Sequence, residues 1–372
     1  MGKYLQFLML AGLLTLVAAC KKNDDGKGPA DSFDRKAMLT NYADNYIIPA
    51  YTQMSQELDE LQTAINSFTS NPDASGLQQA RDKWEQAYFT WQKVELLEFG
   101  PAEDVSLRMF INIYPVTVSK LNANIAAGNY DLEAFGNKDA QGFPAIDYLI
   151  NGIAATDADI LSQYTTDVQA TARRKYLNDV SGKMYSKVSG VLTAWNTYRT
   201  TFVESTGTDA GSSFSRMVNS YVLYYERYLR SGKVGIPAGV MTGIALPGHT
   251  EAYYTPGFGN EMAVTAVSAV TGYYEGKSFD GTNDGTGMYD YLKAIATKDD
   301  SGALMADVIK TELDEAKTAL SGLNIPLRDA VQTSRPQVLA IYDQLQEVVA
   351  LLKVDMVSAF GISITYVDND GD

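Results

Sequence analysis

The chain has 372 residues, 45% of them hydrophobic and 20% charged, a globular composition sized for one large or two ordinary domains. Its formal net charge of −15 counts against nucleic acid and anionic membrane surfaces as partners, since both would repel it. A single histidine and a single cysteine exclude two-histidine zinc sites and intramolecular disulfides.

The chain opens with MGKYLQFLMLAGLLTLVAAC. Lys3 precedes an apolar stretch, Leu5 to Val17, that is short for a membrane span, and Ala18 and Ala19 then precede Cys20. This resembles a bacterial lipoprotein signal. It predicts a signal peptide over residues 1–19 and a lipid on Cys20 that anchors the chain to a membrane. Residues 20–33, polar and rich in Gly and Asp, read as a flexible tether.

Helical periodicity follows. Residues 34–68 place Tyr42, Tyr46, Ile47, Tyr51, Met54 and Leu58 at helical spacing, with a break expected at Pro49. Residues 80–98 put Trp84, Tyr88 and Trp91 on one face, and Glu95 falls on that same face three turns after Trp84. An acid on such a stripe is either paired, here with Arg108 or Lys93, or a ligand. In GFPAIDYLING (142–152), Asp147 stands among Phe143, Ile146, Leu149 and Ile150, where a carboxylate needs a partner, and Pro144 suits a first helical turn.

A long helix is predicted over 170–203, through Tyr176, Val180, Met184, Val188 and Trp195. STGTDAGSS (205–213) is the better domain boundary, and 276–287 is a second Gly- and Asp-rich loop. VGIPAGVMTGIALPG (234–248) is apolar but broken by Gly and Pro, so a buried loop or inter-domain crossing is expected. Helices follow over 303–321 and 336–357. ISITYV (362–367) is the one strand-like run. The terminal DNDGD lacks the spacing of an EF-hand loop. The pattern predicts an all-α protein of two helical bundles, an N-terminal domain over 34–210 and a C-terminal domain over 211–372.

Nucleotide-binding glycine motifs are missing, and His249, in PGHTEAYYTPG, has no G-x-S-x-G partner for a triad. Carboxylates remain as the candidate chemistry. Here the residues resemble a family. ARDKWEQAYFTWQKVELLEFGP (80–101), RMFINIYP (108–115), GFPAIDYLING, KVGIPAG (233–239), LPGHTEAYY (246–254), MYDYL (288–292) and VDMVSAFGISITYVDNDGD (354–372) together resemble imelysin-like proteins, especially the lipoprotein branch. That family is named for an insulin-cleaving bacterial metalloprotease and is related to periplasmic components of iron uptake.

The resemblance implies a site. The family's G-x-H-x-x-E falls on residues 142–147, with Pro144 in place of the histidine and Asp147 in place of the glutamate. Glu95 matches a glutamate the family places near this site, and it is intact. The implied site is a groove of Glu95, Arg108, Asp147 and Tyr148, closed by Glu251. Glu95 and Asp147 are its candidate ligands for a weakly bound metal ion. The resemblance implies an outer-membrane lipoprotein of the cell envelope that binds rather than cleaves, in company with iron or haem uptake proteins. Two alternatives stay open. One is a metallopeptidase with a carboxylate-only metal, a donor set better suited to Ca, Mg or Mn than to hydrolytic zinc. The other is a structural surface protein that uses its 24 tyrosines for contacts.

Overall fold

The period read along residues 34–68 folds as one helical rod with a widened turn in it. The computed structural model describes residues 32–255 and 257–367; the signal segment, Cys20, most of the tether and DNDGD lie outside the described residues. Helix α1 (Arg35–Asn41) is capped by Asp34, whose carboxylate accepts from Ala37 N at 2.9 Å. It runs through a π-helical turn, Tyr42–Ile47, into α2 (Ile48–Ser70). The break expected at Pro49 does not occur. Proline removes the N–H that an α-helix would aim at the Asn45 carbonyl. That carbonyl instead accepts from Phe279 N at 2.8 Å, so a distant backbone donor replaces the missing one.

Helix α3 (Ala74–Val94) begins at the Asp73 cap and carries Trp84, Tyr88 and Trp91 inward. Helix α4 (Gly142–Asp147) is short and wholly buried, and passes into a π-helical turn, Tyr148–Gly152. Helix α5 (Ala170–Glu204) covers the predicted long pattern. Helix α2 packs along both α3 and α5, which makes the first bundle.

The second bundle starts with α6 (Ser213–Leu223) and its π-helical continuation Tyr224–Gly235. It adds α7 (Phe258–Glu275), α8 (Met305–Ser321) and α9 (Arg335–Ala350). Helix α8 lies between α7 and α9, and α9 packs on the 224–235 segment. Aromatic contacts join the two bundles. Tyr42 stacks on Tyr273 at 4.4 Å between centroids, and Trp84 stacks on Phe258 at 5.4 Å. The fold is all-α, as expected, and no helix among the described residues is long and apolar enough to cross a membrane.

Two local expectations fail. Over 362–367 no strand forms. The extended backbone is held instead by one amide: Asn219 Nδ2 donates to Ser363 O at 3.1 Å, and Thr365 N donates to Asn219 Oδ1 at 2.8 Å. Nor is 234–248 buried throughout. Val234 and Ala238 are inside, but Gly239 and Gly243, both at positive φ, turn the chain outward and leave Met241 82% and Ile244 65% exposed.

Candidate functional site

Tyr88, Gln92 and Glu95 follow one another at spacings of four and three residues, so the end of α3 presents all three on one face. Arg108 opens a short helix, Arg108–Ile111, and Asn112 closes it. Lys233 comes from the π-helical segment and Glu251 from the turn before α7. These elements converge on a buried set of opposed charges. Exposure is 2% for Glu95, 5% for Arg108, 2% for Lys233 and 4% for Glu251. Lys233 Nζ lies 2.5 Å from Glu251 Oε2 and 3.8 Å from Glu95 Oε2. Arg108 Nε lies 3.4 Å from Glu95 Oε1, and Arg108 Nη2 donates to the Glu95 carbonyl at 2.7 Å. The Arg108 guanidinium also covers the Tyr228 ring at 3.7 Å.

Neutral side chains complete the set. Asn112 Nδ2 donates to Glu251 Oε1 at 2.7 Å, and Gln92 Nε2 donates to the same oxygen at 3.2 Å. Lys233 Nζ donates to Gln92 Oε1 at 2.6 Å, and Tyr88 Oη donates to Asn112 Oδ1 at 2.6 Å. Burial pushes the Glu95 carboxyl up, while Lys233 and Arg108 pull it back and Glu251 adds to the rise. Burial likewise pushes Glu98 up to about 7, although its carboxylate accepts from Arg108 N at 3.1 Å.

Asp147 lies in a separate pocket. Its Oδ1 accepts from Thr255 Oγ1 at 2.8 Å and from Asn151 Nδ2 at 3.0 Å, and its Oδ2 accepts from Tyr254 N at 3.0 Å. These bonds favour the charged form, yet burial outweighs them and pushes Asp147 up to about 6. Asp147 and Pro144 share the wall of a cavity of about 30 Å³ with Tyr114, Thr250 and Tyr254, room for a water or two and no more. One turn serves both pockets: Glu251 enters the charged network, Ala252 takes a left-handed φ of 51°, and Tyr254 and Thr255 then cap Asp147. Tyr88 stands between them. Its ring stacks on Phe143 at 4.3 Å while its hydroxyl joins the network.

Of the residues implied by the resemblance, the structure therefore joins Glu95, Arg108 and Glu251. It seats Asp147 apart from Glu95 with its own donors, and it leaves Tyr148 outside the network, with its ring 5.4 Å from that of Tyr254. Pairing with Arg108, rather than Lys93, meets Glu95. Lys233, Gln92 and Asn112 were missed. Lys233 opens a matched motif, KVGIPAG, and Gln92 sits one turn after Tyr88 on the inward face; both were signals of a kind.

The donor set does not fit the metal that the family motif implies. Proline at 144 offers no ligand atom, and both Asp147 oxygens are taken by the chain's own donors. Glu95 Oε2 accepts no hydrogen bond among the described residues, but the Lys233 ammonium stands 3.8 Å away and would repel a metal cation. Among the described residues no three of His, Cys, Asp and Glu cluster as a ligand set.

Residues 47–352 match the family model described as Imelysin. The chain is similar to iron-regulated protein A of Synechococcus elongatus, with 22% identity over 206 residues, 54% of this chain and 51% of that protein. It thus spans about half the length of that curated relative. Its fold resembles the crystal structure of an imelysin-like protein from Psychrobacter arcticum 273-4, at 19% identity and a TM-score of 0.67, covering 90% of this chain and 97% of the other. It also resembles a protein from Parabacteroides distasonis described as an iron-regulated protein A precursor, at 16% identity and a TM-score of 0.69, covering 88% and 95%. The family match spans most of the chain, and the fold agrees with it: the protein belongs to the imelysin family.

Proposed function

We propose that this protein is a non-hydrolytic, iron-related binding component of the cell envelope, anchored through Cys20. One observation carries the non-hydrolytic part: Lys233 sits between Glu251 and Glu95, so these two buried acids are balanced by the chain's own cations. A hydrolytic metal would have to displace a buried ammonium and forgo an imidazole at position 144. The relatives named for iron regulation support the iron-related part. The signal-like residues ahead of Cys20 support the anchor.

The test is digestion of insulin and of casein by the purified protein, with and without added Zn²⁺. No cleavage above background is expected. Cleavage that a chelator removes and Zn²⁺ restores would overturn the reading. A parallel assay follows the protein in cells starved of iron, where its amount should rise; an unchanged amount would sever the link to iron.

A further inference from the structure

Away from the charged network, an open groove of about 570 Å³ lies between α2, α3 and the π-helical turn Tyr42–Ile47. Thr52, Gln53 and Gln56 of α2, Gln86 of α3 and Asp44 of the turn line it, and Glu57 lies among them. The five are exposed, but Glu57 is only 4% exposed. It stands three residues after Met54 and one before Leu58, both buried, at the edge of the face that α2 turns inward.

The two oxygens of this carboxylate differ. Oε1 accepts from Gln53 Nε2 at 2.9 Å and from Gln86 Nε2 at 3.2 Å. Oε2 is buried and accepts from no donor among the described residues. Neighbouring cations are engaged elsewhere. Lys83 Nζ donates to Glu60 Oε2 at 2.7 Å, and Arg199 holds both oxygens of Asp44, at 2.5 and 2.6 Å. Glu57 forms no ion pair among the described residues. Taking a carboxylate out of water is costly unless a cation or a full set of donors meets it. The unmet oxygen therefore asks for a donor from outside, and the groove is where one can come from.

We infer that this groove binds a small hydroxylated amine, its ammonium on Glu57 Oε2 and its hydroxyls on the amides of Gln53, Gln56 and Gln86. Gln53 and Gln86 are exposed, so either amide can swing off Oε1 to admit it. The ammonium then puts a charged donor where a neutral one stood, and charge-assisted bonds are the stronger. The site belongs to the first bundle and rests on no part of the function proposed above.

The experiment is calorimetry of the full chain with glucosamine and, separately, with glucose, which carries a hydroxyl in place of the amine. It is run just below neutral pH, where the amine is charged. One glucosamine per chain is expected, held about tenfold or more tighter than glucose. Glu57→Gln keeps the shape of the side chain and should remove that preference. Gln86→Trp leaves Glu57 in place, shuts the groove from the exposed side and should abolish binding. Asp59→Asn removes one charge at an exposed position two residues on and should change nothing. Equal affinity for the two sugars, no binding of glucosamine, or equal losses in Glu57→Gln and Asp59→Asn would overturn the proposal. Lys21, Lys22 and Lys27 lie outside the described residues. Glucosamine binding that appeared only after all three were changed to Gln would mean that the chain's own ammonium takes the place, and would also overturn it.

Discussion

Lys233 carries more of the site than its place in the sequence suggests. Its ammonium contacts two carboxylates and an amide in a region closed to water. Removing one partner of a buried pair leaves the other charge uncompensated, which costs about 3–5 kcal/mol. Lys233→Met should lose stability on that scale in urea unfolding, and adding Glu251→Gln should recover much of it. A loss within about 0.5 kcal/mol, the range of an ordinary surface change, would mean that the pair does not hold the site. Asp147 makes a second prediction, with a definite sign. Its carboxyl is raised from 3.8 to about 6, so the folded chain holds this proton more firmly than the unfolded chain does. The resulting stabilisation is full below about pH 4 and is lost as pH rises through about 6, a span of about 3 kcal/mol. Asp147→Asn cannot titrate. The stability of wild type relative to this variant should therefore fall between about pH 4 and about pH 7 in urea unfolding. A constant difference would place the carboxyl in an ordinary solvated setting.

At the scale of elements, GFPAIDYLING is a frame fixed by its end glycines. Gly142 has φ +78°, and a Cβ there would meet the Ile111 carbonyl at 2.3 Å. A Cβ at Gly152 would meet the Tyr254 ring at 2.2 Å, and Tyr254 N is the donor to Asp147 Oδ2. Gly142→Ala should cost more than the left-handed backbone alone, which is worth about 1–2 kcal/mol. Gly128 also has positive φ but nothing within 4 Å of a Cβ, so Gly128→Ala isolates the backbone part. Equal losses of melting temperature in the two variants would contradict the close approach to Ile111. The helices themselves were legible in the sequence, because apolar residues at a period of 3.6 must share a buried face. The continuity at Pro49 was not, since it depends on a donor, Phe279 N, brought from the other bundle. The same reason hides Lys233. A lysine at the head of an apolar run reads as solvated until the fold supplies Glu251 and Gln92. Glu95 was legible because its partner question arises on its own helix face. The failed strand at 362–367 was misread because alternation describes an extended backbone but not its partner, which here is the side chain of Asn219.

Over the whole molecule, the network sits where the two bundles meet. The end of α3 and the short helix at Arg108 belong to the first bundle, and Lys233 and Glu251 arrive with the second. Its four charged residues are two acids and two bases, so the excess of 45 acids over 30 bases is carried elsewhere in the chain. The fold is that of the family, and within it Lys233 and Arg108 balance Glu251 and Glu95. The most direct measurement of that account is calorimetric titration of Zn²⁺ into the wild-type protein at neutral pH. The account predicts no binding as tight as micromolar. Micromolar or tighter binding that Asp147→Ala abolishes would contradict it, by making the altered motif a working metal site.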